Sequence, residues 1–138
     1  METQNHILIV DDDLYVRDTL SDVLNEAGFT TAGSSTCNEA LAEMEKQEAD
    51  VLLLDIGLSN ENGMDFVPEF KKLYPKIPVI ILTGSGYERA KMQRVFNDGA
   101  MGYICKTINV GGIISFVKSA LCEVSENSEF IPSPIGHF

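Results

Sequence analysis

The sequence is poor in basic side chains. Its 138 residues include 10 Lys and Arg against 21 Asp and Glu, which gives a formal net charge of −11. Because affinity for nucleic acids rests mainly on Lys and Arg contacts with phosphates, we expect no direct nucleic-acid binding by this chain. The acidic balance instead favours partners that are cations or that carry basic patches.

Cysteines and long apolar runs are also scarce. Cys37, Cys105 and Cys122 are odd in number and lack metal-ligand spacing, so we interpret them as buried, small apolar side chains in a reducing compartment. The strongest apolar runs, 51–54 and 77–82, fall far short of the ~18 residues needed to cross a bilayer. The polar start of the chain does not resemble a secretory signal. We therefore expect no membrane association.

Short apolar runs alternate with segments of helical periodicity five times along the chain. The runs predict strands at 6–10, 29–33, 50–55, 78–82 and 101–105. Because the connections are short, the alternation predicts an α/β fold with a single doubly wound, five-stranded parallel sheet and five helices. We expect one domain over 5–124. Residues 125–138 are predicted to be a tail or the start of a linker.

Polar side chains stand at the ends of four of the five predicted strands. They are Asp11 and Asp12 after the first strand, Asp55 at the end of the third, Thr83 after the fourth and Lys106 after the fifth. Any one of them could simply end a strand or cap a helix. Ligands of open parallel sheets bind beyond the carboxyl ends of the strands, so the joint placement indicates a common site.

The residue types at this edge are suited to phosphoryl chemistry. Three carboxylates brought together repel one another unless a cation lies between them. Mg²⁺ prefers oxygen ligands and commonly combines one or two carboxylates with a phosphate, whereas zinc would favour softer ligands. The Lys106 ammonium and the Thr83 hydroxyl add donors for phosphoryl oxygens. The set predicts phosphoryl transfer that works by positioning and charge neutralisation.

These residues resemble the receiver domain of two-component response regulators, over roughly 5–124. The resemblance rests on the acidic pair Asp11 and Asp12, Asp55 with Gly63 eight residues on, Thr83, the run Asp98-Gly99-Ala100, Tyr103 and Lys106. It implies the flavodoxin-like strand order 2-1-3-4-5. It also implies a cytoplasmic phosphoprotein that is not a conventional turnover enzyme, although it promotes its own phosphorylation and dephosphorylation.

The resemblance further implies a role for each acidic residue. Asp55 would be the phosphoacceptor and would attack a phosphohistidine on a partner. Asp11 and Asp12 would hold Mg²⁺ together with Asp55 and the backbone carbonyl of Gly57. The implied phosphodonor is a sensor histidine kinase or a phosphotransfer protein.

The remaining site residues would form a switch, again by resemblance. Lys106 would pair with Asp55 and then with the phosphoryl group. Thr83 would move to bind a phosphoryl oxygen, and Tyr103 would swing inward. The change would reach partners through helix 4, strand 5 and helix 5, with an output domain, a docking partner or a phosphorylation-dependent dimer as the readout.

Four positions depart from the usual family pattern and keep an alternative open. Thr107 stands where a proline usually follows the lysine, and Ser59 stands where a proline is common after the acceptor loop. Gly84 and Gly86 replace an Ala-rich turn. The departures at Thr107 and Gly84 motivate a receiver-like interaction module that works without phosphorylation. A Mg²⁺-dependent phosphatase is a further alternative, although its Asp-x-Asp signature is absent at 55–57.

Overall fold

Five strands and five helices alternate over the part of the chain that the structure describes. A computed structural model describes residues 4–59, 61–84, 86–106 and 109–126. The strands are β1 (His6–Val10), β2 (Thr30–Ser34), β3 (Val51–Asp55), β4 (Val79–Thr83) and β5 (Gly102–Cys105). The helices are α1 (Leu14–Glu26), α2 (Cys37–Lys46), α3 (Gly63–Leu73), α4 (Arg89–Asn97) and α5 (Val110–Glu126).

The strands form one parallel sheet in the order β2-β1-β3-β4-β5. This confirms the predicted α/β fold and the strand order that the resemblance implied. Each strand end lies within one residue of its predicted position, and α5 extends two residues into the segment predicted as a tail. The rest of that segment, 127–138, and the predicted departure at Thr107 lie outside the described residues. Among the described residues, a search for helices that could span a bilayer finds none.

The sheet separates two apolar cores, because successive side chains of a strand point to opposite faces. Leu52 and Leu54 of β3 pack on one face with residues of α2, α3 and α4, such as Phe70. Leu53 packs on the other face with residues of α1 and α5, such as Leu24. Burial on both faces explains why the central strands are continuous apolar runs. In β1, β3 and β4 the polar residues are therefore confined to the strand ends.

Local capping signals keep the loops at the carboxyl edge of the sheet short. Asp13 caps α1 by accepting the Tyr15 N–H at 2.9 Å. Thr36 caps α2, and Asn62 caps α3. A side chain at the N-cap satisfies backbone donors that the first helical turn leaves free. α1 and α2 thus begin three or four residues after their strands end, and α3 begins eight residues after Asp55.

Candidate functional site

Three acidic side chains meet at the carboxyl edge of the sheet. Asp11 follows β1, and Asp55 ends the neighbouring strand β3, with Val10 and Leu54 in register. One carboxylate oxygen from each of Asp11, Asp12 and Asp55 lies within 4.8 Å of the others. The clustering predicted from the strand ends is therefore present.

Lys106, the residue after β5, contacts two of these carboxylates. Its Nζ lies 2.7 Å from Oδ2 of Asp11 and 3.0 Å from Oδ2 of Asp55. Its backbone N–H donates to the carbonyl of Thr83 at 2.8 Å, which fixes the residue just beyond β5. Burial lowers the pKa of Lys106, but the contacts with Asp11 and Asp55 outweigh it, so the net pKa is raised. The side chain is therefore a permanent cation at neutral pH.

Asp11 is the most deeply buried member of the cluster, with no exposed surface. Its Oδ1 accepts the Asp13 N–H at 2.9 Å. Its Oδ2 forms an ion pair with the Lys106 ammonium, but the two groups are not oriented for a hydrogen bond. This oxygen has no hydrogen-bond partner among the described residues. Burial raises the pKa of Asp11, and the charge of Asp55 adds to the rise, while Lys106 and the Asp13 N–H oppose it. A buried oxygen thus lacks a directed partner inside the site.

Asp12 lies at the exposed rim and is held from across the site. The backbone N–H of Ser59 donates to Oδ2 of Asp12 at 2.8 Å, and the Ser59 hydroxyl donates to the same oxygen. These two donors are the main reason why the pKa of Asp12 is lowered. The sequence marked Ser59 only as a departure from the usual proline. Its contact with a residue 47 positions away had no sequence signal.

Asp55 ends β3 with only 4% of its surface exposed. Its Oδ1 accepts the Gly57 N–H at 2.8 Å, while its Oδ2 faces Lys106. The α3 helix starts against this turn, because a Cβ added to Gly63 would lie 2.7 Å from the carbonyl oxygen of Asp55. A glycine at this position lets the helix approach the acceptor strand closely. The metal-ligand role of the Gly57 carbonyl stays a prediction.

The two expected switch residues occupy different surroundings. Thr83 is the last residue of β4 and is almost fully buried at the same edge as Asp55. Tyr103 has no exposed surface and lies in the apolar core on the face covered by α2, α3 and α4. Its hydroxyl has no hydrogen-bond partner in the described part of the chain, and the ring of Tyr87 lies 6.0 Å from its own. The side chain of Tyr103 is already buried in this structure. The predicted inward swing would therefore start from a different, outward conformation of Tyr103.

The donor set fits a hard divalent cation. The three carboxylates bring three formal negative charges, and the Lys106 ammonium neutralises one of them. The Asp11 oxygen without a directed donor and the exposed Asp12 provide hard oxygen ligands of the kind that Mg²⁺ takes. Residues Asp11, Asp12 and Asp55 are therefore suited to hold Mg²⁺.

A family model for the response regulator receiver domain matches residues 7–118. This chain belongs to that family. Response regulators of two-component systems contain such domains. Among curated relatives, NtrC of Salmonella typhimurium is 29% identical over 123 residues, which cover 89% of this chain and 26% of NtrC. The chemotaxis protein CheY of Thermotoga maritima is 28% identical over 109 residues, which cover 78% of this chain and 90% of CheY.

Solved receivers have the same fold. The receiver domain protein of Methanospirillum hungatei superposes with a TM-score of 0.85 at 28% identity, covering 91% of this chain and all of that one. The receiver domain of NtrX from Brucella abortus gives 0.77 at 29% identity, covering 83% of this chain and 97% of that one. The chain spans only about a quarter of the curated NtrC relatives it matches, 26% of the length in the Salmonella case.

The buried charge of Asp11 is expected to cost the receiver stability. Because the native pKa of Asp11 lies above the ordinary value of an aspartate, the native state binds more protons between the two values. The free energy of unfolding therefore falls as pH rises through that window. Asp11→Asn keeps an oxygen for the Asp13 N–H and removes the charge. We expect it to raise the free energy of unfolding near pH 7 above that of the wild type, measured by urea denaturation without divalent cations.

Asp12→Asn is the matched control for that measurement. Asp12 is exposed and its pKa is lowered, so the folded state favours its charged form. Its neutralisation should bring no gain in stability. If Asp11→Asn were no more stable than the wild type near neutral pH, the interpretation of Asp11 as a costly buried charge would be wrong.

Proposed function

We propose that this receiver accepts a phosphoryl group on Asp55 with the help of Mg²⁺ and switches conformation through α4, β5 and α5. The observation that carries this proposal is the shared ammonium of Lys106, which lies 2.7 Å from Asp11 and 3.0 Å from Asp55. The site contains one cation, two buried carboxylates that share it and a third carboxylate at the rim. It therefore carries a net negative charge. Such a site is suited to a cation and a phosphoryl group together.

Asp55 is the proposed nucleophile because of its position and its two contacts. The Gly57 N–H and the Lys106 ammonium hold one carboxylate oxygen each, so the group is oriented before a donor arrives. A carboxylate oxygen attacks the phosphorus of a phosphohistidine on a partner, and a bond from oxygen to phosphorus forms. The bond from phosphorus to the imidazole nitrogen breaks, and that nitrogen keeps the electron pair and takes up a proton. The products are an aspartyl phosphate and a neutral histidine.

The charge of the transferred group is handled by the surrounding side chains. Lys106 lies on the Oδ2 side of Asp55 and can follow the new phosphoryl oxygens without leaving the site. Asp11, Asp12 and Asp55 are the proposed holders of Mg²⁺, with the Gly57 carbonyl as a fourth ligand. Bound Mg²⁺ would supply neutralisation of the negative charge that the carboxylates share with the phosphoryl group.

The proposed switch begins at Thr83. Thr83 is the last residue of β4, which lies beside the acceptor strand β3. The residue before it, Leu82, is in register with Asp55. The following segment contains Gly84 and Gly86, the second with a φ of +84°, a conformation that glycine adopts at little cost. A movement of Thr83 towards a phosphoryl oxygen would draw this segment along. Tyr87 of the same segment packs on Tyr103, so the movement would reach β5.

The partners follow from this reaction and stay proposals. The donor would be a sensor histidine kinase or a phosphotransfer protein. The readout would be an attached output domain, a docking partner or a phosphorylation-dependent dimer. NtrC of Salmonella typhimurium, a DNA-binding transcriptional regulator, is about four times longer than the aligned segment, and the match covers 26% of it. The receiver itself would act in the cytoplasm and promote its own phosphorylation and dephosphorylation.

Mass spectrometry of the intact protein tests the proposal. Incubation with Mg²⁺ and phosphoramidate should add one phosphoryl group, and the same incubation with EDTA should add none. A receiver of known activity is labelled in parallel as the positive control. An unchanged mass under conditions that label the control receiver would overturn the proposed function and favour an interaction module that needs no phosphorylation.

A further inference from the structure

The loop between β3 and α3 is tied to the loop between β1 and α1 through one serine. Ser59 donates its backbone N–H to Oδ2 of Asp12 at 2.8 Å, and its hydroxyl donates to the same oxygen. The two residues are 47 positions apart in the chain. The pair therefore bridges two loops that both carry proposed Mg²⁺ ligands.

Asp12 needs such a support more than the other two carboxylates do. Asp11 and Asp55 are buried and are held by Lys106 and by the backbone donors of Asp13 and Gly57. Asp12 is exposed, and an exposed side chain that must be fixed for binding loses rotamer freedom when the ligand arrives. Two donors on one oxygen fix the carboxylate in advance. A carboxylate has about four lone-pair positions, so capacity for a cation remains.

We propose that Ser59 is a positioning residue that raises the Mg²⁺ affinity of this receiver by holding Asp12 ready to bind. The inference rests on the proposed function, since it takes the three carboxylates as the cation site. Ser59 itself contacts Asp12 and not the reacting atoms. Its effect should therefore appear in the Mg²⁺ concentration that the protein needs, and not in the rate of phosphoryl uptake once the cation is saturating.

Mg²⁺ binding to the unphosphorylated protein, measured by isothermal titration calorimetry, tests this inference directly. Ser59→Ala removes the hydroxyl and keeps the backbone donor, and we expect it to raise the Kd for Mg²⁺ by about threefold to tenfold. Ser59→Pro removes both donors and should raise the Kd further. Ser59→Thr restores both donors and should return the Kd close to the wild-type value.

Ser35→Ala is the matched control variant. Ser35 donates its backbone N–H and its hydroxyl to a single oxygen of Glu39, each at 3.0 Å, in the same pattern as the Ser59 pair. Glu39 is not among the clustered carboxylates. Loss of the Ser35 hydroxyl should therefore leave the Kd for Mg²⁺ unchanged.

A split between two kinetic quantities separates positioning from a general structural effect. For Ser59→Ala, the Mg²⁺ concentration that gives half the maximal rate of uptake from phosphoramidate should rise with the Kd. The rate at saturating Mg²⁺ should stay near the wild-type value. A lower maximal rate with an unchanged Mg²⁺ requirement would overturn the inference.

The possible outcomes distinguish this inference from the proposed function. If the wild type bound no Mg²⁺, the cation part of the proposed function would fail. If the wild type bound Mg²⁺ and Ser59→Ala bound it equally well or more tightly, the positioning role alone would fail. A Ser59→Thr variant as weak as Ser59→Ala would also overturn the inference, because packing would then matter more than hydrogen bonds.

Discussion

Asp55→Asn is expected to abolish phosphoryl uptake, with a loss of at least about 100-fold in the labelled fraction. An amide has neither the charge nor the nucleophilic oxygen of a carboxylate, so no acyl phosphate can form. The variant also loses one of two contacts. Its single oxygen can accept from the Gly57 N–H or face Lys106, whereas Asp55 does both. Intact-mass measurement after incubation with Mg²⁺ and phosphoramidate reads out the result.

Asp22→Asn is the control for Asp55→Asn, because it makes the same chemical change at an exposed position of α1. It should be labelled like the wild type. Circular dichroism of both variants checks that the fold is retained. Full labelling of Asp55→Asn would show that the phosphoryl group goes to another residue and would remove Asp55 from the proposed mechanism.

Gly63→Ala is expected to lower the free energy of unfolding by about 1–3 kcal/mol. The added Cβ would lie 2.7 Å from the carbonyl oxygen of Asp55 and 2.7 Å from Cα of Ile56. Both atoms belong to the backbone and cannot turn away as a side chain would. Alanine favours a helix over glycine by up to about 1 kcal/mol, but this gain is smaller than the cost of moving the end of β3. Urea denaturation measures the difference.

The same substitution should disturb the site, because β3 ends at Asp55. We expect a weaker affinity of Gly63→Ala for Mg²⁺ in calorimetry alongside its lower stability. Gly84→Ala is the control: a Cβ there would meet no atom within 4 Å, so its stability should change by no more than about 0.5 kcal/mol. If Gly63→Ala were as stable as the wild type, the close approach of α3 to β3 would not be a real constraint.

The α/β fold and the strand order could be predicted because burial leaves a direct record in the sequence. Strands covered on both faces become short apolar runs, and helices covered on one face repeat apolar residues every three or four positions. The runs at 6–10 and 51–55 show this pattern, and β1 and β3 follow it. Parallel connections then bring every strand's carboxyl end to one edge. The grouping of Asp11, Asp12, Asp55 and Lys106 follows from that rule.

The resemblance to receivers supplied what the pattern alone could not. Periodicity places Tyr103 on a strand but says nothing of a switch, and it gives no reason for a glycine eight residues after Asp55. The structure provides a physical reason for Gly63, since the start of α3 lies against the backbone of β3. It also finds Tyr103 fully buried, where an inward swing on activation was expected.

The sequence by itself determined the elements, the edge at which the polar residues gather and the family. The resemblance implied that Lys106 pairs with Asp55, but only the tertiary structure decided that Lys106 also faces Asp11 and that Ser59 donates to Asp12. The physical reason is one of range. Apolar periodicity records which face of a helix or strand is buried, and this depends only on the coarse placement of whole elements. A hydrogen bond between two loops depends on atom positions to within a fraction of an ångström. Loops distant in sequence reach that precision only when the whole sheet is assembled.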